Sequence, residues 1–400
     1  MELRGHDARK DILWVSYDVL YHIIWEEMMQ EKEKTFLEHA FKKYYFEHFG
    51  MMRVPDHISE REFGFQRFDS GMIRHIQLKS ISDMRLLLMR EAPSDVYCSC
   101  GYYSFPTLPM KEKNWQGADL IFDIDAKDLN LDCRKDHSIS VCMQCGSVSS
   151  MGPCKKCYST RVESKSLPCK YCIAASKKEV QKLQTILTQD MGIRQDDIQV
   201  YFSGNEGFHV YAYNTQFSKT GSKERSEIVD YIMFNGAIPE TFGMTKKKPK
   251  RDSLPEFGQW GWGGRFAQQM YISKTRRSKE ITRLLSEGYQ SFQQKLKDMS
   301  YMMGARVDPN VTMDVHRIFR LPGSLNSKSG LGKIPCEDMD SFNPYVDAVL
   351  LHNDMTKIIA DCPISFKLRR KKFGPYYGEK ISVPAYAAAY MICKKLAKIA

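Results

Sequence analysis

No stretch of this 400-residue chain is both apolar and long enough to cross a bilayer. Its charge-free run from Ile381 to Cys393 falls short of the roughly 20 residues a spanning helix needs and contains Pro384. An integral membrane protein is therefore not expected. An export signal is missing too: MELRGHDARKDILWVSYD is charged from its second residue and has no apolar centre followed by a small-residue cleavage site. The expectation is an intracellular, unprocessed chain. No internal repeat is present beyond pairs of CxxC. Acid is the scarcer charge, with 48 Asp+Glu against 59 Lys+Arg, a formal +11 that attracts polyanions without identifying one. Hydrophobic residues at 42% and aromatics at 12% exclude a disordered or fibrous chain. The length suits two or three packed units.

Of the twelve cysteines, seven fall between Cys133 and Cys172, mostly in CxxC pairs. In a chain without an export signal, that clustering fits metal ligation better than disulfides. Cys142-x2-Cys145 and Cys154-x2-Cys157 have the spacing of a zinc ribbon, two turns each offering two thiolates to a tetrahedral Zn2+. Cys98, Cys100, Cys336, Cys362 and Cys393 are expected to be bystanders.

Along the chain, Phe36, Leu37, Phe41, Tyr44, Tyr45 and Phe49 repeat at helical spacing after a polar, helix-prone segment 1–34. Segments 62–65 and 72–78 read as strands and 82–91 as a helix. A further helix is expected over 177–190, with strands at 198–203, 208–213 and 315–321. Segment 222–303 reads as helical around a loop-like middle, 244–265, and a last helix is expected over 385–399. Between 244 and 279 there are ten Lys/Arg and two Asp/Glu, and a second basic run covers 367–372. Trp260, Trp262, Arg265 and KKKPKR (246–251) suggest either a basic aromatic surface for nucleic acid or a solvated loop.

The run ADLIFDIDA (118–126) alternates at its end, so Leu120, Phe122 and Ile124 face a core while Asp123 and Asp125 share the opposite face. Such a pair is either the solvent face of an edge strand or a cation site. A third acid shifts the balance: Asp308 in VDPNVTMDVHRIFRLPGSLN, with Asp314 a rival. Three converging carboxylates are the usual protein share of a two-metal site for phosphoryl transfer, holding Mg2+ or Mn2+. The hairpin YFSGNEGFH (201–209) sets Ser203, two glycines and His209 around one tight turn whose N–H groups can cradle an anion. His209 alone reads more readily as a structural histidine; with Ser203 and two glycines beside it the two readings balance. Arg317 and Arg320, three apart on a strand, should face opposite ways.

In order and approximate spacing, GADLIFDIDAKDL (117–129), FSGNEGFHVY (202–211) and VDPNVTMDVHRIFRLPGSLNSKSG (307–330) resemble the signature motifs of the archaeal and eukaryotic DNA primase small, catalytic subunit. REFGF (61–65), MIRH (72–75) and VPAYAAAYMI (383–392) extend the resemblance to roughly residues 35–395. It implies an α+β catalytic core with a mixed, mainly antiparallel sheet, and a template-directed polymerase that starts RNA chains without a primer. Asp123 and Asp125 match the family's paired metal-binding acids. Asp308 matches its third, sitting twelve residues before Arg320 as the family's acid does before its basic residue. Ser203, His209 and Arg320 match triphosphate contacts, with Arg317 a further candidate. Glu62 and Arg74 match residues near the nucleotide's sugar and phosphates. Three positions depart: Glu206 replaces a usual Arg, Asn326 a common His, and Tyr211 another aromatic. Glu206 must point away or be compensated by Arg74, Arg317 or Arg320.

The family also carries a Cys/His segment after the acidic strand and a CxxC entering a helix. Here Cys133, His137, Cys169 and Cys172 match that outer set, implying a second structural Zn2+. The resulting organisation is an N-terminal helical extension (1–34), a core of 35–132, 173–221 and 304–400, a zinc-binding insertion (133–172) and a helical subdomain (222–303). Implied partners are a primase large subunit in a heterodimer, single-stranded DNA template and NTPs or dNTPs, in a cytoplasmic, nucleoid-associated setting. Stand-alone primase-polymerases and end-joining polymerases share this core. A zinc-ribbon nucleic-acid binder without catalysis is the reading from another class.

Overall fold

The computed structural model describes residues 17–69, 71–246, 254–270 and 279–400, with backbone alone for 17–30. Two four-stranded sheets carry the acid and hairpin motifs, and every strand pairing among the described residues is antiparallel. The expected mixed sheet is thus wholly antiparallel there. Short reversals such as 203–206 explain this, because parallel neighbours need a long crossover.

The first sheet runs, edge to edge, Ile318–Arg320, Asp95–Ser99, Phe63–Gln66 and Met72–Ile76; the second runs Ile334–Pro335, Ile198–Phe202, Gly207–Ala212 and Leu120–Asp125. Segment 318–335 therefore crosses from the edge of one sheet to the edge of the other. Leu120, Phe122, Ile124, Val200, Phe202, Phe208 and Val210 line one face of the second sheet and join the main core. Helix Lys170–Gln189 covers that face with Val180, Leu183, Ile186 and Leu187. The opposite face carries Ile121, Tyr201 and Tyr211 around Phe319, beside the acids.

Helix Ile81–Glu91 starts at a capping box: the Ser80 hydroxyl accepts from Asp83 N–H and the Asp83 carboxylate accepts from Ser80 N–H. Helix Tyr17–Glu47 buries Leu37, Ala40, Phe41, Tyr44 and Tyr45.

Three expectations need correction. The loop-like middle contains helix Gly261–Gln269. Trp262 is buried, stacks on Phe234 at 4.2 Å between ring centroids, and donates from Nε1 to the Tyr231 carbonyl. Arg265 is bound to Asp190 through two hydrogen bonds of 3.1 and 2.9 Å. Trp262 thus packs within segment 222–303, Arg265 ties it to the end of helix Lys170–Gln189, and of the three residues only Trp260 is exposed. Lys247–Arg251 of the basic run lie outside the described residues. The last helix ends at Cys393 and is followed by strand Ala397–Ile399. Ala385–Ile392 are all buried, so this helix has no polar face; its alanines let it sit within the core. No helix among the described residues is long and apolar enough to cross a membrane.

Candidate active site and metal centres

Register places the acids. In the second sheet His209 pairs with Asp123 and Gly207 with Asp125, while Tyr201 pairs with His209 on the other side. Side chains opposite one another across a pair share a face, so Asp123 and His209 meet, with His209 Nε2 3.5 Å from Asp123 Oδ1. Gly207 is required where it stands: a Cβ there would lie 2.3 Å from Asp125 Oδ1.

Leu120–Asp125 is an edge strand, yet its edge is covered. The Asp308 N–H donates to the Asp123 carbonyl at 2.9 Å and the Thr312 hydroxyl donates to the Ile121 carbonyl at 2.9 Å. Asp308 is the N-cap of the short helix Pro309–Met313 and so stands beside the acid pair, whereas Asp314 is exposed and accepts from the nearby His316 N–H. Burial, then Asp125, lifts the Asp123 carboxyl to about 7, with Asp308 adding to the rise. Asp123 Oδ1 is buried without a hydrogen-bond donor. An acid cluster short of positive charge and with an orphaned buried oxygen fits a divalent cation. Its nearest cation is the Lys127 ammonium, 2.8 Å from Asp125.

The turn after Phe202 is closed from both sides. Ser203 N–H donates to the Gly207 carbonyl at 2.9 Å, and Gly207 N–H donates to the Ser203 hydroxyl at 3.3 Å. Gly204 takes φ +89°, the left-handed region open to glycine. Among the described residues the Gly204, Asn205 and Glu206 amides have no acceptor, which leaves donors available for an anion. Asn326 Nδ2 donates to the Ser203 carbonyl and Lys394 to Asn205 Oδ1, so both brace the turn. Glu206 is neutralised by a residue the sequence did not suggest: Arg134 Nη1 donates to Glu206 Oε2 at 2.8 Å.

Arg320, its side chain 10% exposed, pairs with Asp95, donates to the Leu325 carbonyl at 2.9 Å and lies over the Tyr97 ring. Arg317 precedes the strand Ile318–Arg320, its N–H donating to the Asp314 carbonyl at 3.2 Å. The basicity of His209 falls well below the ordinary value through burial, then Lys333, Arg320 and Arg317. Glu62 has no exposed surface and is clamped by Arg74 (2.8 and 3.2 Å) and Lys113 (2.9 Å). Burial pushes its carboxyl up, and the two cations bring it below the usual range. Lys113, Asp95 and Lys333 were not visible in the sequence, since each reaches its partner across the fold.

The cysteines sort as spacing suggested. Cys133, His137, Cys169 and Cys172 form one set and Cys142, Cys145, Cys154 and Cys157 another, the donor atoms of each lying within 4.8 Å of one another. Sulfur separations of 3.7 and 3.9 Å in the first set, and 3.5 and 3.6 Å in the second, match the about 3.8 Å edge of a tetrahedron with 2.3 Å metal–sulfur bonds. His137 presents Nε2 to Cys172 at 3.3 Å, while its Nδ1 is held by the Ser166 hydroxyl. In the second set the Ser147 hydroxyl draws the Cys154 thiol down to about 5. Both sets fit Zn2+.

Acids short of positive charge, an imidazole and a glycine turn with free amides make a centre able to hold divalent cations beside nucleotide phosphates, as phosphoryl-transfer enzymes do. The comparisons with known proteins agree with that class. A family model described as DNA primase small subunit matches residues 151–337. The chain is 62% identical to the DNA primase small subunit PriS of Nitrosopumilus maritimus, covering 93% of this chain and 100% of that one. It is 51% identical to the PriS of Cenarchaeum symbiosum, with the same coverage, and 30% identical to that of Archaeoglobus fulgidus over 90% of this chain and 97% of that one. A polymerase domain of Mycobacterium tuberculosis Ligase D in complex with DNA shows a fainter likeness, at 11% identity and a TM-score of 0.36, covering 76% of this chain and 83% of that one. The chain belongs to the DNA primase small subunit family.

Proposed function

We propose that this chain synthesises short RNA primers de novo on a single-stranded DNA template, joining a ribonucleotide 3′-hydroxyl to the α-phosphate of an incoming NTP with release of pyrophosphate. Asp123, Asp125 and Asp308 hold two Mg2+ or Mn2+ ions. Those ions would neutralise the phosphates and lower the pKa of the attacking hydroxyl. The chain's own side chains supply position. Ser203 accepts from Gly207 and so keeps its hydroxyl proton for a phosphate oxygen. The turn amides and His209 face the same phosphates, and Arg320 and Arg317 supply positive field. Glu62 fixes Arg74 in one rotamer beside the sugar and phosphates. Fixed dipoles and charges of this kind carry most of the catalysis in phosphoryl transfer.

Zn2+ on each cysteine set is structural, because four protein donors leave no open position. Residues 133–172 act as a zinc-binding insertion, 222–303 as a helical subdomain and 1–34 as an extension of the core. The working enzyme is a heterodimer with a primase large subunit.

The observation that supports this reading most is the hydrogen bond from Asp308 N–H to the Asp123 carbonyl, which joins two acids far apart in sequence. Replacing Asp123 and Asp125 together by Ala should abolish Mn2+-dependent dinucleotide synthesis on single-stranded DNA while leaving the circular dichroism and zinc content intact. Retained synthesis would sink the assignment.

A further inference from the structure

Lys333 has no exposed surface and, among the described residues, makes no ion pair. Its Nζ lies within hydrogen-bond distance of three neutral groups, donating to the Tyr211 hydroxyl at 2.7 Å and the Arg320 carbonyl at 2.8 Å and meeting His209 Nδ1 at 3.0 Å, while burial, then Arg320, pushes its basicity well below the ordinary lysine value. The Tyr211 and Tyr201 rings lie 4.6 and 5.4 Å from its nitrogen. An ammonium buried without a carboxylate is costly, and an apolar residue of the same length would fill the space more cheaply. What the charge provides instead is direction. Ammonium has donors and no acceptor. While Lys333 holds its proton, the ring nitrogen it meets carries the lone pair, and the imidazole proton is then on Nε2, the nitrogen facing Asp123 Oδ1.

We infer that Lys333 is a positioning residue that fixes His209 as the Nε2–H tautomer, so that the ring presents a donor and not a lone pair to the acid and triphosphate side of the site. The inference rests on the reading of His209 as a triphosphate contact. Three strands make the arrangement. Lys333 precedes edge strand Ile334–Pro335, His209 and Tyr211 lie on Gly207–Ala212, and Arg320 ends Ile318–Arg320 of the other sheet. One side chain thereby ties the imidazole to the segment bearing Arg320.

The experiment uses the full chain labelled with 15N-histidine, and long-range 1H–15N spectra whose His209 signal is assigned by its loss in His209→Gln. Wild type should show the Nε2–H tautomer, and Lys333→Met should convert it to a mixture. In steady-state primer extension Lys333→Met should raise KM for NTP roughly tenfold with a smaller change in kcat, the scale of one hydrogen bond to a charged group. Lys333→Gln keeps an N–H donor and should restore both readouts in part, and it serves in place of Lys333→Met if that variant does not fold. A wild-type Nδ1–H tautomer, or a Lys333→Met protein with unchanged spectrum and KM, overturns the inference. His209→Gln with unchanged KM for NTP would instead sink the triphosphate reading while leaving the tautomer assignment standing.

Discussion

Two four-donor cysteine sets sit a few residues apart in sequence, and they are attached to the molecule in different ways. The outer set closes a loop. Cys133 follows the acid strand, Cys169 and Cys172 open the helix that covers the sheet, and Cys169 and Cys172 pack with Ala126, the residue after Asp125. Between the donors Cys133 and His137 stands Arg134, which reaches Glu206 in the 203–206 turn. The inner set closes a tip. Its thiols are satisfied locally, by Ser147 and by N–H groups of Gln144, Lys156 and Cys157. Its tie to the rest runs through strand Ser138–Cys142, whose Ile139 and Val141 enter the core, and through the Glu163–Lys395 pair at 3.2 Å. The same ligand chemistry thus holds the catalytic sheet in one case and finishes a ribbon in the other.

The largest effect that separates them should come from Cys172→Ser. A structural zinc contributes about 10–16 kcal/mol, as much as the about 5–15 kcal/mol by which whole domains are stable. Loss of the outer metal should therefore lower the melting temperature of the whole protein and remove primer synthesis, with zinc content falling by one equivalent. Calorimetry and metal analysis check this. If the variant keeps full activity, the outer set is no brace of the active site.

Arg134→Ala probes the link itself and should be milder. Zinc content stays at two, because Arg134 is not a ligand, but Glu206 is left with its charge beside the triphosphate. Repulsion there should cost roughly tenfold in kcat/KM, about 1.4 kcal/mol, read mainly in KM for NTP. Adding Glu206→Ala should recover most of the loss, since the pair is removed together. No recovery would mean that Arg134 acts through the metal loop and not through the carboxylate.

What was legible in the sequence follows from the range of the interaction. CxxC spacing and strand alternation are local, so the inner cysteine set and the shared face of Asp123 and Asp125 could be read before any fold was known, whereas the outer set, whose two halves lie far apart in sequence, rested on the family resemblance. Trp262 looked like a surface aromatic because it lies among Gly and basic residues, yet Phe234 and the Tyr231 carbonyl, some thirty positions earlier, draw it inside. Glu206 posed the same difficulty. Its compensation was sought in Arg74, Arg317 and Arg320, the cations of the catalytic motifs. Antiparallel pairing of Gly207 with Asp125 instead brings the turn against the start of the zinc insertion, where Arg134 waits. Lys333 carried no sequence signal at all: a single lysine before Ile-Pro gains meaning only once the edge strand it begins is laid beside Tyr201 and Phe202.

The smallest effect should come from Cys154→Ser, and it is the sharpest test of the contrast. This change removes a thiolate that Ser147 and two amides already stabilise, so the inner site loses its metal and zinc content falls by one equivalent, as in Cys172→Ser. The consequences should part company there. Among the described residues no hydrogen bond of the inner cysteine side chains reaches the acids, the 203–206 turn or the helix over the sheet, and effects at sites without shared partners add within a few tenths of a kcal/mol. KM for NTP should then stay within about twofold of wild type. The ribbon's tip should instead become sensitive to protease between Cys142 and Cys157. Equal loss of zinc with unequal loss of catalysis is the outcome the two attachments require. A Cys154→Ser protein as inactive as Cys172→Ser would join the two sites into one functional unit, through the strand Ser138–Cys142 that both flank.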